Sequence, residues 1–277
     1  MQTLKVKRID AALPLLGQGT WNMGNASASR AAEAAALRAG LGLGMTLIDT
    51  AEMYASGGAE EVVAQAIAGR RNDVFLVSKV LPENASRRGT IKACEASLKR
   101  MQVETLDLYL LHWPGNHPLA ETLAAFEELR EAGKIRHWGV SNFDLAAMRE
   151  VESLVPGRCA CNQVLYNLQR RGIEHDLLPW CVENGILVQA YSPLDQGRLR
   201  KAPPLAAVAR RHALTAEQAA LAWSVRFAGV QAIPKSANLE RVKQNAQAAG
   251  VVLTQADLRE IDTAYPPPTG PTPLETA

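Results

Sequence analysis

Thr46-Leu47-Ile48-Asp49-Thr50-Ala51-Glu52-Met53-Tyr54 opens on an apolar run and closes on ionisable groups. The run reads as a buried strand, with polar residues at its C-terminal end. Two further runs end the same way. Val74-Phe75-Leu76-Val77 leads into Ser78-Lys79, and Leu108-Tyr109-Leu110-Leu111 leads into His112-Trp113. In a parallel α/β barrel the C-terminal ends of the strands carry the chemistry. These strands would deliver Asp49, Tyr54, Lys79 and His112 to one rim. A carboxylate at a strand tip with a phenol on the following loop is a proton-donor pair, so the four residues read as a candidate active site.

Working outward, strand and helix signals alternate. Toward the N-terminus, Leu4, Val6 and Ile9 alternate with Lys5, Lys7 and Arg8, which predicts a short hairpin. A first core strand is expected near Leu15–Gly19, and Gly17 to Trp21 reads as a glycine turn that either only turns or meets a ligand. Ser29 can cap a helix ended by Gly40 and Gly42. Helices are then predicted from about Gly58, Ser86, Leu119, Asn142 or Asp144, Leu205, Thr215 and Asn238, with another through Leu177 and Cys181. The remaining strands are Leu106–His112, Ile135–Ser141, Ala160–Val164, Ile186–Tyr191 and Val230–Ile233. About eight strands, nearly all followed by helices and with no linker inside, predict a closed (β/α)8 TIM barrel. It would carry an N-terminal β-hairpin and an added C-terminal helix over Thr254–Ala264. Residues 1–277 then form one domain, with 266–277 a proline-rich, flexible tail.

Composition narrows the function. A net charge of +2 argues against nucleic acid and anionic membranes. Met1 to Asp10 has no signal-peptide core, and no apolar stretch is long enough to span a bilayer. Cys94, Cys159, Cys161 and Cys181 have no metal-finger spacing, so no metal site is expected. They read as reduced thiols of a cytoplasmic protein.

The motifs DTAEMY (49–54), VSKV (77–80), LLHWP (110–114), GVSNF (139–143), NQV (162–164), YSPL (191–194) and IPKS (233–236) stand in barrel order. Together they resemble the aldo-keto reductases, from the turn at Gly19 to Asn245. Among subgroups the chain is most similar to bacterial reductases of broad aldehyde or methylglyoxal type. The resemblance implies a monomeric barrel that reduces carbonyls with NADP(H), and it places the catalytic tetrad on Asp49, Tyr54, Lys79 and His112. It places cofactor contacts on Gly19, Thr20, Trp21 and Asp49, and on Ser141, Asn142 and Gln163 for the carboxamide. Tyr191 matches the aromatic under the nicotinamide, followed by Ser192, Pro193 and Leu194 along the pyrophosphate. Lys235, Ser236 and Arg241 match the group around the 2′-phosphate, and Gln244 and Asn245 the adenine contacts. Trp21, Tyr54, His112 and Trp113 would meet a small carbonyl substrate. No GxGxxG follows any strand, so the cofactor site is not of the Rossmann type. A short segment after YSPL, the proline-rich tail, and Gln244 where relatives often have a carboxylate imply an open pocket and looser cofactor clasping.

The chemistry explains the residue types. Hydride transfer to a carbonyl carbon leaves a basic oxygen that needs a proton. A free phenol has a pKa of about 10, and a lysine ammonium beside it is expected to lower that value. Asp49 would keep Lys79 charged and oriented, and a neutral His112 would hold the carbonyl oxygen. Taken singly, these residues have ordinary structural readings: a helix cap, a packed tyrosine, an ion pair, a rim histidine. Taken jointly and in order, the functional reading wins. Two other readings keep the barrel: a catalytically silent NADPH-binding sensor or scaffold, and a phosphate-binding lyase or isomerase with Lys79 as a Schiff-base amine.

Overall fold

The computed structural model describes residues 2–25, 29–201 and 203–277. β1 (Thr3–Val6) and β2 (Ile9–Pro14) pair antiparallel as the expected hairpin. Its alternation buries Leu4, Val6, Ile9 and Leu13 against Leu47, Val77, Leu108 and Leu187, so the hairpin plugs one end of the barrel.

The remaining strands are parallel: β3 (Gln18–Gly19), β4 (Leu47–Asp49), β5 (Phe75–Val80), β6 (Leu106–Leu111), β7 (Ile135–Ser141), β8 (Cys159–Leu165), β9 (Leu187–Tyr191) and β10 (Val230–Ala232). They follow one another in chain order around an eight-stranded sheet. The ring closes where Gly17 N donates to Ala232 O at 2.8 Å and Ala232 N donates to Leu15 O at 3.1 Å. The predicted first strand is thus short but does seal the barrel.

Helices α1 (Arg30–Gly42), α2 (Gly58–Ile67), α3 (Arg87–Met101), α4 (Leu119–Glu131), α5 (Leu145–Leu154), α6 (Leu177–Glu183), α7 (Pro203–Arg211), α8 (Ala216–Ser224) and α9 (Leu239–Ala248) surround the sheet, and α10 (Gln255–Ala264) is the added helix. Strand side chains alternate between the two cores. Leu47 and Val77 point into the barrel, while Ile48, Leu76 and Val80 pack under the helices. Asp49 and Lys79 share the inward phase with Leu47 and Val77, which is why they meet inside.

Local signals settle the helix ends with one choice and one correction. Of the two expected candidates, Asp144 caps α5, its Oδ1 accepting from Ala147 N at 2.8 Å. Asn142 is instead left-handed, at φ 61°. Nor does Gly40 end α1, which runs on to Gly42. Gly40 leaves room for Gln18, whose Nε2 donates to Leu37 O at 3.1 Å and Met45 O at 3.0 Å. A Cβ on Gly40 would lie 2.0 Å from Gln18 Oε1. The tail, expected to be flexible, lies across the rim: Arg170 pairs with Glu275 at 2.8 Å, and Ala277 N donates to Tyr191 Oη at 3.3 Å.

These contacts decide the sign of a glycine substitution. Alanine within a helix is ordinarily favoured over glycine by about 1 kcal/mol. At Gly40 the new methyl would displace a buried carboxamide from both its acceptors, a loss of about 1–3 kcal/mol on top of the overlap. Gly40→Ala is therefore expected to lower the melting temperature by several degrees, at roughly 2–4 °C per kcal/mol. Gly42→Ala meets nothing within 4 Å and should leave it unchanged or raise it. A rise on Gly40→Ala would refute this account of Gln18.

Candidate active site

One cavity of about 1010 Å³ opens at the C-terminal ends of the strands. Gly19, Thr20, Trp21, Asp49, Tyr54, His112, Trp113, Ser141, Asn142, Gln163, Tyr191, Ser192, Pro193, Leu194, Lys235, Ser236, Arg241, Gln244 and Asn245 all line it. Of the residues singled out in the sequence, Lys79 alone is absent from the wall. It lies beneath, fully buried.

Lys79 Nζ donates to Asp49 Oδ1, to Asp49 Oδ2 and to Thr50 O, each at 2.8 Å. Tyr54 Oη stands 3.4 Å from the same nitrogen. Burial alone would lower the pKa of Lys79, but the Asp49 carboxylate beside it and then Tyr54 reverse this, so its pKa is raised and the ammonium persists. For Tyr54 the balance runs otherwise than expected from the sequence. Burial pushes the phenol up, the Lys79 ammonium pulls it down, the Asp49 carboxylate pushes it up again, and the net shift is upward. His112 is held neutral, its pKa pushed down to about 3 by burial first and by Lys79 second. Its Nδ1 is buried without a hydrogen-bond partner, which leaves Nε2 as the ring nitrogen that faces the cavity. The Tyr54 and His112 rings meet edge to face at 5.7 Å.

The turn that carries Tyr54 is irregular and held in place. Ala55 and Ser56 are left-handed, at φ 50° and 52°, and Gly57 follows at φ 91°. Just beyond, Glu60 is fully buried and accepts from Ser78 Oγ at 2.7 Å and from Arg100 Nε. The start of α2 is thereby tied to the strand that presents Lys79. Glu52 Oε1 accepts from Leu81 N at 2.8 Å and Asn84 Nδ2 at 2.9 Å, joining the loops after β4 and β5. The sequence reading passed over Glu52 and Glu60. Glu52 lies inside the DTAEMY stretch itself, whereas nothing local marks Glu60.

Away from the tetrad, Asn142 Nδ2 donates to His112 O at 3.0 Å, and Tyr191 Oη donates to Asn142 Oδ1 at 2.8 Å. At the far end Lys235 and Arg241 are exposed cations on either side of the start of α9, where Asn238 Oδ1 caps Arg241 N at 3.0 Å. The sequence reading also missed Met53, Pro114, Gln196, Glu217, Thr276 and Ala277 in the wall. No group of three or more metal-ligating side chains was found among the described residues.

The Aldo/keto reductase family model matches residues 15–266. The chain belongs to this family. It is 54% identical over 272 residues to the methylglyoxal reductase YeaE of Escherichia coli, covering 96% of each chain. It is 33% identical to a glyoxal reductase of Bacillus subtilis, over 90% of this chain and 88% of the other. A crystal structure of an aldo-keto reductase from Klebsiella pneumoniae in complex with NADPH superposes with a TM-score of 0.97 at 49% identity, over 100% of both chains. One from the same organism in complex with NADP and acetate gives 0.96 at 49% identity, over 99% of this chain and 100% of that one.

This reductase has a testable electrostatic signature at His112. Its folded pKa of about 3 lies below the ordinary 6.5. Between those values the unfolded chain binds a proton that the folded protein does not, so the stabilising contribution is full above 6.5 and is lost as pH falls through the window. One such proton gives a slope of about 1.4 kcal/mol per pH unit. The wild type should therefore lose stability more steeply than His112→Gln between about pH 6 and pH 4. Denaturant melts at several pH values measure the difference. NMR should find the His112 ring neutral across that range, and a midpoint near 6.5 would contradict the assignment.

Proposed function

We propose that this aldo-keto reductase catalyses the NADPH-dependent reduction of aldehydes to alcohols, 2-oxoaldehydes such as methylglyoxal and ketones included. The observation that carries the reading is the Tyr54 hydroxyl in the cavity wall, 3.4 Å from a buried lysine ammonium and edge to face with a neutral histidine. The cavity's donor set fits a phosphorylated dinucleotide. Two cations, the Ser236 hydroxyl and a helix N-terminus at one end suit a phosphate, and amides and a phenol ring stand near the tetrad at the other. Ser141, Asn142, Gln163 and Tyr191 would hold the nicotinamide, Ser192 to Leu194 the pyrophosphate, Lys235, Ser236 and Arg241 the 2′-phosphate, and Gln244 and Asn245 the adenine. When bound, the reduced cofactor supplies the hydride.

The protein's part is to place the carbonyl and deliver a proton. His112 Nε2, neutral and protonated, donates to the carbonyl oxygen and polarises it. Tyr54 Oη gives its proton to that oxygen as negative charge develops there, and Lys79 steadies the phenolate left behind. Asp49 holds Lys79 in place through both carboxylate oxygens. Trp21 and Met53, both exposed at the rim, and Trp113 with Pro114 form an apolar mouth suited to short, uncharged carbonyls. The activities named for the Escherichia coli and Bacillus subtilis relatives support 2-oxoaldehydes within that range.

Lys79 is poorly suited to Schiff-base chemistry. It is fully buried, raised in pKa and committed to Asp49 and Thr50. The assembled tetrad likewise favours turnover over a silent sensor. We read the enzyme as a monomer, since one chain supplies a complete cavity, and as cytoplasmic, since its four cysteines are free and buried. No helix among the described residues is long and apolar enough to cross a membrane.

Loss of NADPH absorbance with a panel of aldehydes, ketones and 2-oxoaldehydes tests the reading directly. Tyr54→Phe is expected to lose roughly 10²–10⁴-fold in kcat while NADPH affinity stays near that of the wild type. Near-normal turnover of this variant would remove Tyr54 from the mechanism. Arg241→Ala should weaken NADPH roughly ten- to a hundredfold, the worth of a charge-assisted hydrogen bond, and leave NADH almost unchanged. Titrations followed by tryptophan fluorescence separate the two cofactors. Equal weakening of both would mean that Arg241 reads the shared adenine instead.

A further inference from the structure

Three glutamines stand at one level of the barrel interior. The strand register pairs Gln163 of β8 with Gln189 of β9, and Gln189 with Gln231 of β10. Nearby interior positions are apolar: Cys161, Leu187 and Ile233. All three glutamines are buried, Gln189 and Gln231 completely. Burying a carboxamide is costly unless its hydrogen bonds are made, and here they are made in a row. Gln231 Nε2 donates to Pro14 O at 2.6 Å, and Gln189 Nε2 donates to Gln231 Oε1 at 2.8 Å. Gln163 Nε2 donates both to Gln189 Oε1 and to Asp49 Oδ1, the second at 2.8 Å.

This row of amides begins and ends on groups that can only accept, a carboxylate and a backbone carbonyl. Its sense is therefore forced, because turning any one amide over would set oxygen against oxygen. Gln163 commits both N–H groups inside the barrel. Its Oε1 takes no hydrogen bond among the described residues, and it is the one polar atom left to face the cavity that Gln163 lines. Apolar side chains of similar volume would fill the places of Gln189 and Gln231 equally well, so packing alone does not ask for amides there, and what the amides add is partners for Gln163 and for Pro14 O.

We propose that Gln189 and Gln231 are positioning residues for the reductase reaction. Through the row of amides they hold Gln163 as a donor to Asp49 and as a pure acceptor in the cavity wall, there to take the carboxamide N–H of the nicotinamide. This rests on the cofactor reading given above.

The test compares NADPH with its reduced 3-acetylpyridine analogue, in which a methyl group replaces the carboxamide NH2. Dissociation constants are read from quenching of tryptophan fluorescence, with Trp21 and Trp113 in the cavity wall as reporters. The wild type is expected to bind NADPH roughly two- to tenfold more tightly than the analogue, the span of one neutral hydrogen bond. In Gln189→Leu the ratio should fall toward one, because Gln163 loses the acceptor for its second N–H and is held by Asp49 alone. Gln231→Leu, one amide further away, should give an intermediate ratio and serves if the first variant does not fold. The ratio is internal to each variant, so a smaller folded fraction cancels. A purely stabilising role would lower the melting temperature and leave the ratio at its wild-type value, and that result overturns the proposal. A wild type that binds NADPH without discriminating also overturns it, yet leaves the cofactor reading intact. A wild type that binds neither dinucleotide defeats the cofactor reading and the proposal with it.

Discussion

Lys79 and Asp49 meet at the base of the cavity, buried almost completely, and the surrounding architecture makes that contact tolerable. Two ions taken out of water lose more hydration than their attraction alone restores, unless their remaining hydrogen-bonding capacity is filled. Here Lys79 Nζ finds both carboxylate oxygens and the Thr50 carbonyl, and Asp49 Oδ1 takes a further N–H from Gln163. The Asp49 backbone is held in turn, its carbonyl accepting from Thr20 Oγ1 at 2.9 Å. Contributions from β3, β4, β5 and β8 thus converge on one pair, and closure of the barrel brings β8 within reach of β4.

The ion pair matters because of what rests on it. A phenol buried in a barrel mouth resists ionisation, and the upward shift of Tyr54 shows that Lys79 reduces this resistance without abolishing it. Such a phenol keeps its proton until an oxygen basic enough to take it develops nearby. His112 complements it. Burial first, and the same ammonium second, keep the imidazole neutral, so it can donate without carrying charge. Burial and one ammonium together therefore set two neighbours to different tasks.

Support for the site comes from elements far apart in sequence. Glu60 joins the Tyr54 turn to β5, Glu52 joins two rim loops, and Asn142 bridges the His112 carbonyl to the Tyr191 hydroxyl. The tail reaches the same place, with Ala277 N on Tyr191 Oη. Each such link exchanges a flexible rim for one in which neighbouring loops are braced by hydrogen bonds. The barrel supplies the walls, and these polar contacts supply the alignment.

How much of this was legible depended on whether the relevant physics is local. Alternation in strands, capping residues and the strand-end placement of Asp49, Lys79 and His112 are properties of a few consecutive residues, so the sequence by itself determined the barrel, its element order and the strand ends that meet at the cavity, while the cofactor contacts came from the family resemblance. What required the tertiary structure involves sums over distant groups. Whether Tyr54 moves up or down depends on total burial against the charges of Lys79 and Asp49, and the sequence names the charges but not the burial. Asp144 rather than Asn142 caps α5 because Asn142 is held by His112 and Tyr191 from other strands. Gly40 makes room for Gln18 across a helix–strand interface. Gln189 and Gln231 are unremarkable in their own segments, and only the register of three adjacent strands sets their amides in a row with that of Gln163, because hydrogen bonds between strands act at right angles to the direction in which a sequence is read.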